Sequence, residues 1–409
     1  MKLSATTSAS PGDVVIIGAG IIGLATGLEL CTRHPGISLT VIDKEPSVAA
    51  HQTSHNSGVI HSGVYYKPGS MKARFCVNGA AAMIRFCQEH GVPYEICGKV
   101  IVATAEEELP RLEELHRRGE GNGLDGLRII SSEEIKELEP HAAGIRGLHV
   151  PGTGIVDYRK VAEKYAELIT ICGGQVLLSH EVIGMKQFGT HTVIETTQGP
   201  IATRLVINCA GLQSDRISRL TNTKLDLRIV PFRGEYYDLA DSKRQYLNGL
   251  IYPVPDPRFP FLGVHFTRRI GGGIEAGPNA VLALKREGYR KGSFDIGDVM
   301  EFATFPGSWI MAAKYWQTSL GEYYRSCSKA AFVRALQRLI PEITSDDLIP
   351  GGSGVRAQAL DRRGKLVDDF YFAYTEGMVH VCNVPSPAAT ASLAIGKHIA
   401  DTAMRRAGN

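Results

Sequence analysis

The sequence has no C-x-x-C pair and no cysteine–histidine cluster at the spacing of a metal site. Its eight cysteines occur singly along the chain. Zinc sites and redox dithiols need closely spaced ligands, so we expect neither a metal nor a disulfide framework. The cysteines instead indicate small, buried apolar side chains in a reducing compartment.

Long hydrophobic runs are missing as well. The longest charge-free apolar stretch near the start, Val14 to Leu28, is interrupted by four glycines. It is shorter than the ~20 residues that a membrane-spanning helix needs. It also lacks the basic segment that begins a secretory signal. We therefore expect no transmembrane segment, a cytoplasmic location, and a flexible tail at residues 1–11.

A strong excess of charge of either sign is also absent. The formal net charge is +3, well short of the clustered basic character of nucleic-acid-binding domains. We expect no nucleic-acid partner. The slight basic excess is compatible with an anionic cofactor and an anionic substrate. The basic stretch from Lys285 to Lys291 leaves open a peripheral contact with the inner face of the cytoplasmic membrane.

The length of the chain predicts two domains, because single cores stop growing at about 250 to 300 residues. The N-terminal pattern of strand, glycine turn, helix and strand is a βαβ unit, whereas residues 227–280 alternate strands with turns. We expect an α/β Rossmann-like cofactor domain with a central parallel sheet, and an α+β substrate domain on a large antiparallel sheet. Their expected bounds are 12–90, 150–222 and 346–409 for the cofactor domain, and 91–149 and 223–345 for the substrate domain.

The N-terminal turn carries a dinucleotide-binding fingerprint. Gly18, Gly20 and Gly23 permit a tight turn, close approach of the backbone to a pyrophosphate, and close helix packing. Asp43 follows 20 residues after Gly23, where an acidic residue is expected to bind a ribose hydroxyl. This spacing predicts a dinucleotide without choosing between NAD and FAD. The segment after Lys44 is a polar loop instead of the third strand of an NAD domain, which favours FAD.

Several longer motifs narrow the interpretation. GAGIIG, VIDKE, VINCAG and the late GVR resemble the FAD superfamily of the D-amino-acid-oxidase type. HNSGVIHSGVYY, PFRGEYY, IYPVPDP, SGVRAQ and NVPSPAATASLAIG are similar to segments of L-2-hydroxyglutarate dehydrogenases, nearly throughout the chain after residue 13. The resemblance implies noncovalent FAD, oxidation of (S)-2-hydroxyglutarate to 2-oxoglutarate, and electron transfer to a quinone, another carrier or oxygen. Arg362 and Arg363 depart from the neutral turn expected in relatives.

The cofactor contacts are expected from the glycine turns, the polar loop and the lead-in to the last helix. The prolines and alanines of NVPSPAATASLAIG predict a helix from Pro387 whose N-terminal end faces the flavin. His55 is assigned to the cofactor loop, with no chemical role as the alternative. The expected cofactor residues are Gly18, Gly20, Ile22, Gly23, Asp43, Lys44, Thr53, Asn56, Ser57, Gly58, Val182, Ala210, Gly211, Gly354, Pro387 and Ala388.

Oxidation of a 2-hydroxy acid needs a base for the hydroxyl proton while hydride leaves the same carbon. Two of the 13 histidines are candidates, His61 after the polar loop and His265 in a strand of the substrate domain. A neutral imidazole is plentiful near pH 7. We rank His265 above His61, because its strand is expected to approach the flavin from the substrate side. Either histidine could instead only hydrogen-bond a backbone carbonyl.

A dicarboxylate substrate needs two cationic anchors, and the planar fork of arginine suits a carboxylate. Arg356 occupies the position where the resemblance implies an arginine for the α-carboxylate. The alternative for Arg356 is an ion pair with Asp361 or Asp368. No single residue stands out for the distal carboxylate, and the acidic helical stretch at 106–121 is interpreted as a solvated face. The distal candidates are Arg233, Lys285 and Arg286, with Tyr65, Tyr66 and Tyr236 as hydroxyl donors.

Three other functions stay open at this point. An amine oxidase of the same superfamily, acting on glycine, sarcosine or a D-amino acid, would need only one cationic anchor. A flavoprotein with structural FAD would serve as a scaffold that binds a partner. Such a protein would not need a catalytic base. An NAD dehydrogenase is disfavoured by the missing third strand.

Overall fold

The computed structural model describes residues 11–256 and 261–407, so the expected N-terminal tail lies, except for Pro11, outside the described residues. The α-helices are, in chain order, α1 (Ile21–Arg33), α2 (Met71–His90), α3 (Leu109–Gly121), α4 (Ser132–Leu138), α5 (Tyr158–Ile171), α6 (Ser214–Leu220), α7 (Ile296–Ala303), α8 (Pro306–Cys327), α9 (Lys329–Leu336) and α10 (Ser392–Ala407). The strands are β1 (Gly12–Ile17), β2 (Leu39–Ile42), β3 (Val59–Ile60), β4 (Tyr94–Glu95), β5 (Lys99–Ala103), β6 (Arg128–Ser131), β7 (Arg146–Val150), β8 (Gly154–Val156), β9 (Gln175–Leu177), β10 (Val182–Phe188), β11 (His191–Thr196), β12 (Gly199–Asn208), β13 (Leu227–Leu239), β14 (Leu250–Pro253), β15 (His265–Arg269), β16 (Gly273–Gly277), β17 (Val281–Leu282), β18 (Leu348–Asp361), β19 (Tyr371–Thr375) and β20 (Met378–Asn383).

The first sheet is built around parallel strands. Its order is β10-β11-β12-β1-β2-β9, and β20 also pairs with β12 in parallel. The strands β12, β1, β2 and β9 run parallel to one another. Helix α1 packs against α5 and α10, and these helices share one apolar core with β1 and β2. The expected Rossmann-like sheet is thereby confirmed.

Local signals set the helices of this half of the fold. Ser70 begins α2 by accepting a hydrogen bond from the amide of Ala73 at 3.2 Å. Gly91 ends α2 in the left-handed conformation, with φ of 66°, which glycine adopts without steric cost. Asp157 caps α5 through the amide of Arg159. These residues therefore set both ends of α2 and the start of α5.

The second sheet is almost entirely antiparallel. Its order is β17-β13-β16-β15-β14-β5-β7-β6, with β18 paired along the length of β13. Among the described strands of this sheet, only β14 and β5 run parallel. Buried side chains of α9 pack on this sheet. The expected antiparallel substrate sheet is present, but β18 belongs to it, so the boundary expected at residue 346 does not fit the strand pairing.

The lead-in to the last helix differs from its prediction. Helix α10 begins at Ser392, not at Pro387. Pro385 and Pro387 have no amide hydrogen, and the amides of Ala388 and Ala391 bond to the carbonyls of these two prolines within successive turns. The lead-in is therefore a turn segment that precedes the helix.

All eight cysteines are free. Five of them are buried as expected, but Cys172 and Cys327 are exposed, because they lie at the outer ends of surface helices. Among the helices of residues 11–256 and 261–407, none is both long and apolar enough to cross a lipid bilayer.

Candidate active site

A cavity of about 740 Å³ lies where the two sheets meet the polar loop. Its walls come from the glycine turn, the loop at residues 52–61, strands β13 and β18, and the lead-in at 384–390. Cofactor and ligand sites commonly fall between about 300 and 1,000 Å³. The cavity is therefore large enough for a cofactor ring and a small acid together.

The glycine turn at one end of the cavity tolerates no side chain at two positions. Gly18 has φ of 112°, and a Cβ there would overlap the carbonyl of Cys209. A Cβ at Gly23 would overlap the carbonyl oxygen of Gly18. The backbone of Gly20 and the first residues of α1 thus reach the cavity wall, where exposed amides attract anionic groups.

The polar loop is held in place by hydrogen bonds. Thr53 accepts from the amide of Ile21 at 3.0 Å, which ties the loop to the start of α1. Asn56 donates to the carbonyl of Thr53 and accepts from the amide of Gly58. Gly354 of β18 packs so closely on the carbonyl of His55 that a Cβ would not fit. The loop therefore forms a fixed wall between the two sheets.

Most of the expected cofactor residues line this cavity. Gly58 and Ala210 each lie between two lining residues without being lining residues themselves. Gly18 and Gly23 belong to the glycine turn but do not line the cavity. The lining members are Gly20, Ile22, Thr53, Asn56, Ser57, Gly211, Gly354, Pro387 and Ala388.

Three expected cofactor residues lie away from the lining. Asp43 accepts from the amide of Ala19 at 2.6 Å and so stabilises the glycine turn. The ammonium group of Lys44 contacts the carboxylates of Glu45 and Glu287, so its charge is neutralised there. Val182 packs in an apolar cluster beside the first sheet. The structure does not bring Lys44 or Val182 to the cavity.

His265 has the geometry of a general base. Its Nδ1 lies 2.8 Å from the carbonyl oxygen of Gly263, which can only accept, so Nδ1 carries the proton. Its Nε2 is then the atom that can accept a proton. The ring lies against Tyr252 with 3.9 Å between centroids and an angle of 34° between the ring planes. Burial, with Arg356 and Lys99 nearby, lowers the pKa of His265 to about 3, so the imidazole is neutral at physiological pH.

His61 lines the same cavity in a different state. Its Nδ1 is buried and has no hydrogen-bond partner among the described residues. Burial, followed by the charges of Lys99 and His265, lowers the pKa of His61 to about 3. Nothing fixes the position of the proton on this ring. The two expected histidines therefore meet in one cavity, and only His265 has a defined tautomer.

Arg356 also reaches the cavity. Its guanidinium lies 5.1 Å from the ring centroid of Phe261, and its buried Nη1 finds no hydrogen-bond partner in the described parts of the chain. The alternative ion pairs are not formed: Asp361 accepts from amides of its own turn, and Asp368 pairs with Lys72. A half-buried arginine whose buried Nη1 is unused fits a carboxylate ligand.

The three cations expected at the distal carboxylate are not in the cavity. Arg233 is buried against Glu235, with its Nη2 at 2.8 Å from the carboxylate. Arg286 is buried against Asp215 and Glu301. Lys285 is exposed at the surface. These choices are corrected because arginine charges in the interior pair with internal carboxylates and Lys285 faces outward.

The expected tyrosines do line the cavity. Burial raises the pKa of Tyr65, Tyr66 and Tyr236, so each hydroxyl stays protonated and can donate. The hydroxyl of Tyr65 is buried and has no partner within the described residues. These groups can hold carboxylate oxygens.

Lys99, at the start of β5, was missed by the sequence interpretation. It is 1 % exposed, and no hydrogen-bond partner of its Nζ is found among the described residues. The ammonium lies 4.7 Å from the ring centroid of Tyr65 and 5.0 Å from that of Tyr252, both of which line the cavity. Burial lowers the pKa of Lys99 to about 7. The only sign of Lys99 in the sequence was its position at the start of an apolar strand.

Helix α3 corrects a second interpretation. The acidic stretch was expected to be a solvated face, yet Arg111, Leu115 and Arg118 line the cavity. Their spacing of four and three residues puts them on one side of the helix. The Nε of Arg111 is buried and has no partner in the described chain, while Nη1 lies 3.7 Å from Asp256. Arg111 is therefore a second arginine with an unused donor in the cavity.

The residues around the cavity fit FAD. The positive-φ glycine turn leaves the start of α1 open to a pyrophosphate, and the loop and lead-in add small or polar lining residues. The same cavity is also lined by His61, His265, Arg111 and Arg356, which suit an anionic substrate.

Comparison with known proteins agrees with a flavin site. The chain matches the family described as FAD dependent oxidoreductase over residues 13–402. It is 53% identical to the L-2-hydroxyglutarate dehydrogenase of Indibacter alkaliphilus, over 96% of this chain and 99% of the relative. It is 49% identical to the mitochondrial L-2-hydroxyglutarate dehydrogenase of Homo sapiens, over 98% and 91%.

Two solved structures share the fold. L-α-glycerophosphate oxidase from Mycoplasma pneumoniae with FAD bound has a TM-score of 0.80 at 22% identity, covering 97% of this chain and 95% of the other. Glycine oxidase from Geobacillus kaustophilus has a TM-score of 0.72 at 18% identity, covering 97% and 96%.

Proposed function

The chain belongs to the family of FAD dependent oxidoreductases, and from this premise we propose that it oxidises L-2-hydroxyglutarate to 2-oxoglutarate. Relatives that share 44 to 53% of their residues with nearly the whole chain are named for this substrate. The observation that carries the proposal is the unused Nη1 of Arg356 in one cavity with two neutral histidines.

Each side chain has a chemical role in this proposal. Arg356 binds the α-carboxylate, and Nε2 of His265 takes the proton of the 2-hydroxyl group. FAD, when bound, accepts the hydride that leaves the same carbon. The substrate's negative charge would raise the pKa of His265 again, because it stabilises the imidazolium. That rise suits a base that must hold the proton during the reaction.

The distal carboxylate is assigned to Arg111 in place of the cations expected from the sequence. Its buried Nε has no protein partner in the described chain, and the tyrosine hydroxyls add neutral donors in the same cavity. Two arginines with unused donors match two carboxylates. The amine oxidase alternative requires only one of them.

The proposal includes a quinone or another electron carrier as acceptor. It also includes a location in the cytoplasm or on the inner face of the cytoplasmic membrane. The choice of electron acceptor is supported by the names of the relatives, which are called dehydrogenases. The compartment differs among relatives, since the Homo sapiens protein is named mitochondrial.

Anaerobic reduction of the purified flavoprotein tests the substrate. L-2-hydroxyglutarate is expected to bleach the flavin absorbance within the mixing time of manual experiments, whereas D-2-hydroxyglutarate, sarcosine and D-alanine leave it unchanged. Reduction by an amine with no response to the hydroxy acid would overturn the proposal.

Two matched variants test the base. His265→Asn is expected to slow flavin reduction by about 10²-fold or more, the usual contribution of general base catalysis. His61→Asn keeps a similar volume in the same cavity and is expected to slow reduction less. The opposite order, measured by stopped-flow absorbance, would assign the base to His61.

A further inference from the structure

Two of the eight free cysteines lie at the same edge of the first sheet. Cys31 is in the last turn of α1, and Cys172 is the residue at which α5 ends. Helix α1 leads into β2 and α5 leads into β9, and these two strands run parallel. A helix that leads into a strand of a parallel sheet runs opposite to that strand. The two packed helices therefore run in the same direction and end side by side.

The two helices approach closely one turn before they end. A Cβ at Gly27 of α1 would lie only 3.0 Å from Cδ1 of Ile169 on α5. Cys31 follows Gly27 by four residues and so lies on the same side of α1. Its Sγ is 3.5 Å from the position that a Cβ would have on Gly174. The sulfur of Cys31 therefore faces the turn that begins at Cys172.

The two thiols differ in their access to water. Cys31 is 6% exposed, and its Sγ donates to the carbonyl of Gly27 at 3.1 Å. Burial, followed by the neighbouring thiol of Cys172, raises the pKa of Cys31 to about 11. Cys172 is exposed. A dissolved oxidant therefore meets Cys172 first, because reactivity needs an accessible thiolate.

The turn after Cys172 gives this residue conformational freedom. Gly173 has φ of 87°, which glycine adopts without steric cost, and Gly174 follows it. A disulfide bond requires a defined separation of the two Cα atoms. Two successive glycines allow the backbone at Cys172 to adjust toward the sulfur of Cys31.

We propose that Cys31 and Cys172 form an oxidation site, at which hydrogen peroxide converts the two thiols into a reversible disulfide between the ends of α1 and α5. The thiolate of Cys172 attacks one peroxide oxygen. A sulfur–oxygen bond forms, the oxygen–oxygen bond breaks, and the departing hydroxide takes a proton to become water. The product at Cys172 is a sulfenic acid.

The second step closes the bond. The sulfur of Cys31 attacks the sulfur of the sulfenic acid, and its thiol proton passes to the departing oxygen. The sulfur–sulfur bond forms, the sulfur–oxygen bond breaks, and a second water leaves. The two thiols thereby supply the two electrons that reduce one peroxide to two waters. A thiol reductant reverses the reaction by exchange.

The disulfide holds Cys172 at a reversible stage of oxidation. An exposed sulfenic acid without a partner thiol proceeds to sulfinic acid, which thiol reductants do not restore. Neither cysteine is among the described residues that line the cavity, and Cys31 lies at the opposite end of α1 from the glycine turn. The site goes beyond the oxidation of the hydroxy acid and does not depend on the substrate.

Peptide mass spectrometry of the oxidised holoenzyme tests the site. The protein is treated with hydrogen peroxide, catalase removes the excess, and the remaining thiols are alkylated after denaturation. We expect the peptides of Cys31 and Cys172 to be joined, lighter by two hydrogen atoms, and separated by dithiothreitol. Cys327, the other exposed cysteine, should appear outside this linked pair.

Variants separate the roles of the two thiols. In Cys31→Ala, Cys172 should gain two oxygen atoms as sulfinic acid and resist dithiothreitol. In Cys172→Ser, the buried Cys31 should stay reduced and be alkylated. Cys87→Ala is the matched control, because it removes a buried cysteine from α2 and should form the link like the wild type.

Three results would overturn the oxidation site. The first is sulfinic acid at Cys172 of the wild type as abundant as in Cys31→Ala. The second is a covalent dimer through Cys172, which would assign this thiol to a second copy. The third is an unmodified pair at a peroxide concentration that oxidises Cys327. Flavin reduction by L-2-hydroxyglutarate in untreated samples reports separately on the proposed function.

Discussion

At the scale of single residues, Arg356 gives the most direct test of substrate binding. Arg356→Met removes from the cavity the guanidinium that is proposed to bind the α-carboxylate of the substrate. Loss of a charge-assisted hydrogen bond costs about 3 kcal/mol, so the substrate concentration for half-maximal flavin reduction should rise roughly 100-fold. The flavin absorbance of the purified variant should stay, because the proposal assigns Arg356 to the substrate and not to the cofactor.

Arg362→Met is the matched control, since it removes the same charge from an exposed turn beyond the end of β18. It should reduce its flavin like the wild type. A colourless Arg356 variant would instead assign this residue to cofactor binding or folding.

Lys99 couples stability to pH. Its pKa is about 7 in the folded chain and about 10.4 in an unfolded one. Between these values the unfolded state binds more protons, so the free energy of unfolding should rise as pH increases from 7 to 10. Lys99→Met removes the buried charge and this slope. The variant should therefore be more stable at pH 7, by roughly 3 kcal/mol.

The same substitution should change the pH profile of the reaction. In the free enzyme the low pKa of His265 keeps the base neutral, so kcat/KM should stay level well below pH 6.5. Removing the charge of Lys99 raises the pKa of His61 and His265, and the acid limb of kcat/KM should move to higher pH. Lys160→Met, at an exposed position of α5, should alter neither the stability nor the pH profile. An unmoved acid limb would leave Lys99 with a structural role only.

At the scale of elements, helix α3 should separate dicarboxylates from monocarboxylates. Arg111→Met is expected to weaken binding of glutarate roughly 30-fold, about 2 kcal/mol, and to leave butyrate unchanged. Perturbation of the flavin spectrum measures both affinities. Arg117→Met is the control, because Arg117 is on the same helix and exposed to solvent. Equal losses of affinity for glutarate and butyrate would exclude Arg111 as the residue that binds the distal carboxylate.

The elements also show which local signals a sequence carries. Helices α2 and α5 were predictable because Ser70, Gly91 and Asp157 act through their immediate neighbours. Strand β18 was not, since its membership of the second sheet depends on pairing with β13, more than a hundred residues earlier.

At the scale of the whole molecule, the cavity joins segments that are distant in the chain. The fingerprint glycines, His61, His265 and Arg356 were predictable from motif and chemistry, and they do meet. Lys99 and Arg111 were not, because an isolated charged residue is usually solvated. Arg233 and Arg286 look equally suitable in sequence, but Glu235 neutralises Arg233 and the distant Asp215 neutralises Arg286.

This assembly makes the cofactor part of the fold's stability. FAD would contact the start of α1, the loop at 52–57 and the lead-in at 385–390, all of which line the cavity. A ligand at about a thousand times its dissociation constant stabilises the native state by ~4 kcal/mol. Removing FAD should therefore lower the melting temperature by roughly 5 °C, and readdition should restore it. Calorimetry of apoprotein and holoenzyme measures this, and identical transitions would mean that the cavity is held closed by the protein alone.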